Sequence, residues 1–504
     1  MDFNKIKEKT TAFFLDPQKV FLLALAITIF CTGCYTLFFT DIYRDTAGVY
    51  AMYARELARG NWFAGIVTRA PMLNITLAGA LGYCGMETIA ALTLVSGGFY
   101  IAALYPLRKL LLRYLSPLAA AYGCLLYATA PKLITFFCAA LLESSRCFFL
   151  LAAVLYFLNV CEKPGWKNSL LFGVSSGFLM VSRGEGLPVG IVLLAGAFIY
   201  GRSFCRRVSW KQQLAACGFA IFIAVLVITP FCMMNYAKTG YFVTDMRIIS
   251  IAGIAHSQLE AAGKSTPQAV QSFTSGEEGN RNWGEKTASI FSGMWRGGYE
   301  LYWVLAAIGI ILMFKRGKWR SDHLLFAGVT LMQVMMYFVI VSSYRYYIFM
   351  IPLFMCFTVS GASWLLAAAK KYLPGKMTVL LCAVCAVVIV LQIINGTSRA
   401  FKRKSHPERA VAAWVARYEK EKFSGSKLRL LAVNLPEVAY WSKAIYVNGY
   451  ESGHHKADEC RDFDLGVIKV KHLPLLCNRS DIEFLPGTPY PDKIAVFKLT
   501  SPGK

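Results

Sequence analysis

The chain has 504 residues, of which 56% are hydrophobic and 14% aromatic, and apolar runs recur from residue 20 to residue 390; its mean hydropathy is +0.47. This excludes a soluble globular protein and predicts a multi-pass membrane protein. The net charge of +24 raises nucleic acid as a partner, but the sequence has no zinc-finger spacing, no RNP-like aromatic pattern and no glycine-lysine phosphate loop, so no nucleic acid is expected.

In chain order, the first apolar run covers residues 20–39, after a head carrying Lys5, Lys7, Lys9 and Lys19. It is too long for a signal-peptide core and lacks a small-residue cleavage site, so it reads as a retained first span with the N-terminus cytoplasmic. Further spans are expected at 88–107, 116–136, 144–160, 170–181, 187–200, 214–233, 299–314, 324–341, 347–369 and 377–394. That makes about eleven transmembrane helices at about 20 residues each. Basic clusters punctuate them: Arg108, Lys109 and Arg113; Lys163 and Lys167; Arg202, Arg206, Arg207 and Lys211; Lys315, Arg316, Lys318 and Arg320; Lys370, Lys371 and Lys376. Each lies in a short connection, as cytoplasmic loops do under the positive-inside rule.

Charge parity settles two ambiguous runs. Counting 71–86 as a span would move Arg108, Lys109 and Arg113 outside, so it is expected to be an interfacial or re-entrant helix. Residues 169–200 are basic at both ends, which predicts two short helices meeting at a recessed tip near Arg183. The outer face then carries a first loop (41–87), a turn near Glu143, the tip at Arg183, a large loop (236–298), a turn at Arg345 and the tail.

The first loop contains "DIYRDTAGVYAMYARELARGNW", in which Val49, Met52, Tyr53 and Leu57 recur at three- and four-residue steps until Gly60. This predicts an amphipathic surface helix, with the Asp45 carboxylate at its start placed to cap free backbone N–H groups. Most of the 15 cysteines lie in or beside apolar runs, where a thiol is a small apolar group; Cys31 and Cys34 have no partner pair or histidine near them in sequence. Residues 1–397 form the expected membrane domain. Residues 398–504, with strand-like "KLRLLAVN", "FDLGVIKV" and "DKIAVFKL" after a helix-like "PERAVAAWVARYEKEK", form a small extracytoplasmic α/β domain. A Cys460–Cys477 disulfide there is left open, and His454 and His455 beside Asp458 and Glu459 read as a solvated turn.

The segment from Asp45 through "AREL" and "GNW", followed by "TRAPML", resembles the first outer loop of the C-type (GT-C) glycosyltransferases that use polyprenyl-phosphate sugars. That group includes the protein O-mannosyltransferases of family 39 and the lipid A aminoarabinose transferases. The resemblance continues in order through "LLESSRCFFLLAAVLYFL", "GFLMVSRGEGLPVGI" and "YRYYIFMIPLF", over about the first 400 residues. This chain departs from the pattern in having Thr46 where a glutamate usually follows the aspartate, one extra residue between Asp45 and Tyr50, Glu143 for aspartate, and Arg69-Ala70-Pro71 for Lys-Pro-Pro.

The resemblance implies a glycosyltransferase with a polyprenyl-phosphate-linked sugar as donor and a lipid, glycan or protein acceptor at the outer surface of a cell inner membrane. Such chemistry needs a carboxylate to accept the acceptor's proton or to hold a metal, and cations to stabilise the departing phosphate. Asp45, Glu143 and Asp41 are the carboxylate candidates; Asp45 and Glu143 are the ligands for a divalent metal if one takes part. Arg69, Arg183 and Arg345 are the phosphate-binding candidates, since guanidinium matches phosphate oxygens in bidentate geometry. Arg44, Tyr50 and Tyr344 are candidates for lining the substrate pocket. Two other classes compete. A lipid-linked oligosaccharide polymerase or ligase would not normally begin with an acidic surface helix. A transporter or flippase would place ionisable groups near mid-membrane, whereas the expected spans here are nearly free of charge.

Overall fold

A computed structural model describes residues 12–40, 42–43, 45–66, 71–204, 209–244, 283–317, 321–336, 344–372, 375–401, 407–423, 428–433, 435–443, 445–447, 463–470, 473 and 482–499. Asp41, Arg44, Arg69, the loop segment 245–282, His454, His455, Cys460 and Cys477 lie outside the described residues.

The first long helix, Pro17–Phe38, starts where Asp16 accepts hydrogen bonds from the backbone N–H groups of Gln18 (2.9 Å) and Lys19 (3.3 Å) and proline occupies the first helical turn. Among the described residues, five helices are long and apolar enough to cross a membrane: Pro17–Phe38, Thr88–Leu111, Glu143–Glu162, Trp210–Thr239 and Ala383–Phe401. Two bent pairs, Thr287–Gly297 with Glu300–Lys315 (91°) and Arg345–Leu353 with Met355–Tyr372 (62°), raise this to seven if each pair is one crossing. Glu143–Glu162 is the centre of the bundle, with 83% of its most apolar window buried.

Apolar run length predicts about eleven crossings, and among the described residues some of those runs are broken locally. The run 116–136 divides into Pro117–Thr129 and Pro131–Phe137. Pro131 has no N–H to continue the first helix, and its fixed φ suits the start of the second. Pro117–Thr129 is an apolar helix of 13 residues. At 1.5 Å rise per residue, a helix of about 13 residues covers about 20 Å, short of an apolar layer of about 30 Å. The run 71–86 forms the short helix Leu73–Tyr83, and residues 169–200 form two helices, Trp166–Ser182 and Gly186–Phe204, joined at Arg183.

Helices Glu300–Lys315 and Met355–Tyr372 meet backbone to backbone. A Cβ on Gly309 would lie 2.0 Å from the Phe357 carbonyl oxygen, and one on Gly361 would lie 2.0 Å from that of Leu305. Small residues at such crossings let helices pack in lipid without a hydrophobic driving force.

After the last apolar helix, the chain forms the helix Pro407–Lys422 and a five-stranded sheet: β1 (Arg429–Val433), β2 (Ile445–Val447), β3 (Leu465–Lys469), β4 (Ile482–Phe484) and β5 (Ile494–Leu499). Their order is β2-β1-β3-β5-β4, with β1 parallel to β2 and β3, and β5 antiparallel to β3 and β4. Leu430, Leu465, Val467 and Val496 pack on Val411 and Val415 of the helix, so this part buries a core of its own. It touches the first loop through helix Pro436–Ser442. There Arg55 donates to the Tyr440 carbonyl (3.3 Å) with its guanidinium over the Tyr440 ring, and the Tyr440 hydroxyl donates to Glu87 (2.9 Å).

Candidate active site

The first-loop helix runs from Asp45 to Ala58, but its opening turn, Thr46–Tyr50, is a π-helix that passes into the α-helix Ala51–Ala58. A π turn holds one residue more than an α turn, and it falls where the sequence carries its extra residue between Asp45 and Tyr50. The turn also resets the phase of the apolar face. Val49 and Leu57 are buried as expected, but with Ala47, Ala51 and Ala54 beside them, while Met52 and Tyr53 are only half-buried.

Asp45 itself has helical backbone angles and its side chain caps no N–H group, which corrects the expectation of an N-cap. Its carboxylate instead forms an ion pair with Arg345. A close ion pair offers the carboxylate more than a cap bond at a helix start already bonded through the Ala47 N–H to the Tyr43 carbonyl (2.9 Å).

Glu143 begins the central helix, and the turn before it is held from three directions. Thr46 Oγ1 donates to the Ala140 carbonyl (3.0 Å), while Asn74 Nδ2 (3.3 Å) and Ser96 Oγ (2.7 Å) donate to that of Leu141. Ala140 takes φ 58°, a left-handed conformation that a non-glycine residue keeps only when its surroundings enforce it. Thr46 therefore ties the aspartate-bearing turn to the glutamate-bearing one. Asn74, which opens a glycosylation-like triplet in the sequence, is 1% exposed and committed to this structural bond.

The charged side chains form an alternating chain. Both Glu185 oxygens accept from Arg183 Nε (2.9 and 3.1 Å), and Arg183 Nη1 donates to Glu143 Oε1 (3.0 Å). The same Glu143 oxygen lies 3.6 Å from Arg345 Nε, and Arg345 pairs with Asp45. Tyr346 meets both guanidiniums, its ring centroid 3.9 Å from Arg183 Cζ and 5.1 Å from Arg345 Cζ. Glu143 Oε2 is buried and has no hydrogen-bond partner among the described residues. Arg146, one turn along the central helix, lies over the Phe349 ring (4.8 Å).

Tyr50, half-buried at the end of the π turn, lies in the field of all four groups. Burial and the carboxylates of Asp45 and Glu143 push its phenol well above the usual tyrosine range, against the opposing pull of Arg345 and Arg183, and keep it a neutral hydroxyl. Tyr344 opens the short 3₁₀ turn Tyr344–Tyr347 that carries Arg345. Of the residues singled out in the sequence, Asp45, Glu143, Arg183, Arg345 and Tyr50 are thus brought together; Asp41, Arg44 and Arg69 fall outside the described residues. The roles of Thr46, Asn74 and Ser96 as ties have no local sequence signal, because their partners are 94, 67 and 45 residues away. Among the described residues, no group of three or more His, Cys, Asp or Glu is placed to hold a metal ion.

No family model matches the sequence, and no curated protein does. Solved structures do. ArnT from Cupriavidus metallidurans bound to undecaprenyl phosphate superposes with a TM-score of 0.64 at 12% identity, covering 96% of this chain and 98% of that one. The Archaeoglobus fulgidus oligosaccharyltransferase tethered with an acceptor peptide gives 0.51 at 11% identity, covering 97% of this chain and 74% of that one. Arabinofuranosyltransferase AftD from Mycobacteria gives 0.50 at 12% identity, covering 95% of this chain and 41% of that one. The protein has the fold of the C-type membrane glycosyltransferases, as its first loop implied.

Proposed function

We propose that the protein is an integral membrane glycosyltransferase that takes a sugar from a polyprenyl-phosphate donor and passes it to a lipid, glycan or protein acceptor on the extracytoplasmic face of a cell inner membrane. The N-terminus is then cytoplasmic, and the sheet-bearing tail, residues 398–504, is an outer domain. The observation that carries this reading is the convergence of Asp45 and Glu143 on Arg345. Full-length likeness to ArnT, solved with undecaprenyl phosphate, supports the donor class.

In the reaction, the bond from the anomeric carbon to the phosphate oxygen breaks and its electron pair stays on the phosphate. A bond from the acceptor oxygen to that carbon forms, and the acceptor's proton passes to a carboxylate. Arg345, at the more accessible end of the charge chain, is the cation for the donor phosphate, and it is there that charge develops. When the phosphate takes the guanidinium, Asp45 is released to accept the proton. Glu143 holds Arg345 in place and offers Oε2 to a substrate hydroxyl. Tyr50, kept protonated, lines the pocket as a hydroxyl donor, with Arg44, next to Asp45 in sequence, and Tyr344, next to Arg345, as further lining residues.

The test is transfer by purified protein from a panel of radiolabelled polyprenyl-phosphate sugars in proteoliposomes, read as release of polyprenyl phosphate. Absence of transfer from every donor, with the protein folded, would refute this reading. A thiol-labelling map that found position 45 on the cytoplasmic side would refute the orientation.

A further inference from the structure

We infer that Arg183 and Glu185 are a positioning pair that fixes Glu143, and that the donor phosphate is held by Arg345 without Arg183. This rests on the transferase reading and divides the arginines that sequence pattern alone treats alike.

The chain of charges has a buried end and an accessible end. Side-chain exposure is 4% for Glu185, 7% for Arg183 and 6% for Glu143, against 16% for Arg345 and 24% for Asp45. At the buried end Arg183 is held on three sides: Nε by both Glu185 oxygens, Nη1 by Glu143 Oε1, and its planar face by the Tyr346 ring. Drawing Arg183 onto a phosphate would pull the cation they share away from two buried carboxylates, leaving Glu143 with the more distant Arg345, a loss that an incoming phosphate does not restore. The backbone reinforces this. Arg183 is extended between two helices, the Gly186 N–H donates to the Arg183 carbonyl (2.8 Å), and a Cβ on Gly186 would lie 2.0 Å from the Leu179 carbonyl oxygen. The tip is folded back on its own helix, which leaves Arg183 little room to swing.

Arg345 differs on each count. It sits on a short turn, its closest carboxylate partner, Asp45, is the most exposed group of the chain, and Glu143 stands 3.6 Å away. This half-buried pair is exchanged for phosphate at less cost than the buried Arg183 pairs. Arg183 then keeps Glu143 Oε1 fixed so that Glu143 can orient Arg345, which makes Glu185 the far anchor of the active site.

The experiment compares Glu185→Gln, Glu185→Asp, Arg183→Lys and Arg345→Lys in full-length protein. It measures kcat, donor KM and, separately, binding of undecaprenyl phosphate to protein in phosphatidylcholine nanodiscs. Glu185→Gln and Arg183→Lys are expected to lower kcat about tenfold, since misorientation slows the reaction without removing a binding group, and to leave KM and undecaprenyl-phosphate affinity within about twofold. Glu185→Asp, which keeps the charge, recovers part of kcat. Arg345→Lys weakens undecaprenyl-phosphate binding about tenfold or more, because an ammonium loses the bidentate fork. Weakening of undecaprenyl-phosphate binding by Arg183→Lys or Glu185→Gln to the same degree as by Arg345→Lys overturns the inference, as does a wild-type kcat in Glu185→Gln. Should Glu185→Gln not fold, Arg183→Lys carries the same comparison. The binding arm needs no turnover, so a protein inactive on every donor defeats the transferase reading and still tests the division between the arginines.

Discussion

Asp45→Asn separates the two things the aspartate does. In the resting structure its carboxylate occupies Arg345, so the donor phosphate and Asp45 compete for one guanidinium. The amide keeps the shape, loses the charge and cannot take a proton. Turnover is then expected to fall by about 10²–10⁴, the usual contribution of a positioned base. Donor binding should move the other way. At 24% exposure the Asp45 side chain is screened by solvent, so the pair lost is worth about 1 kcal/mol. Removing that competition tightens the donor about fivefold. The assay is single-turnover transfer from a saturating polyprenyl-phosphate sugar, paired with a dissociation constant for the donor. Wild-type turnover would show that Asp45 is not the base. Weaker donor binding would show that Asp45 holds the donor and does not compete with it.

Glu143→Gln should yield folded protein that melts close to wild type, because two complete pairs remain, Arg183–Glu185 and Arg345–Asp45; Arg183→Ala instead removes the cation paired with the buried Glu185 and should lose about 3–5 kcal/mol, as seen by thermal denaturation in detergent. Deleting Gly48 converts the π turn to an α turn and rotates Asp45 by about 100° relative to the helix that follows. Transfer is expected to vanish while the protein remains monodisperse, and an active deletion variant would show that the extra residue does not place Asp45. Tyr50 carries a pH signature. Its phenol stays neutral in the fold, whereas in the unfolded chain it ionises near its ordinary value of about 10. Ionisation of the unfolded state alone drains stability as pH rises through that value. Tyr50→Phe should therefore lose less melting temperature than wild type between neutral pH and above pH 10, and parallel melting profiles would refute the assignment.

What was legible in the sequence follows from where each signal acts. Lipid demands apolar length and cytoplasmic loops attract Lys and Arg, so the apolar runs and the basic clusters between them could be read residue by residue. The strands at 429–433, 465–469 and 494–499 fall inside the three stretches expected of them, because alternating β-branched patterns are local too. Apolar length could not show where a run breaks. The runs at 116–136 and 347–369 read as single spans, yet each is two helices, parted at Ala130 and at Phe354. Pro131 and Pro352 stood in the sequence as the warning.

The site was legible as a set of charge types and illegible as a wiring pattern. Asp45 has a local use, capping its own helix, and a distant one, pairing with Arg345 300 residues away; only the distant one is realised. Nothing in the local sequence could choose between them, because the choice is made by where the bundle puts the Tyr344–Tyr347 turn. The same holds for Glu143, whose nearby cation in sequence is Arg146 but whose bonded cation is Arg183. The extra residue after Asp45 points the other way. It was visible in the sequence as a mismatch with the resembled pattern, and the fold absorbs it in one π turn, with Thr46 pinned to Ala140 at the point of insertion. A register change of one residue in a helix turns every side chain before it. That the turn delivers Asp45 onto Arg345 means the insertion and the pairing are one feature, so a natural variant that lost the residue would have to replace the aspartate's partner as well.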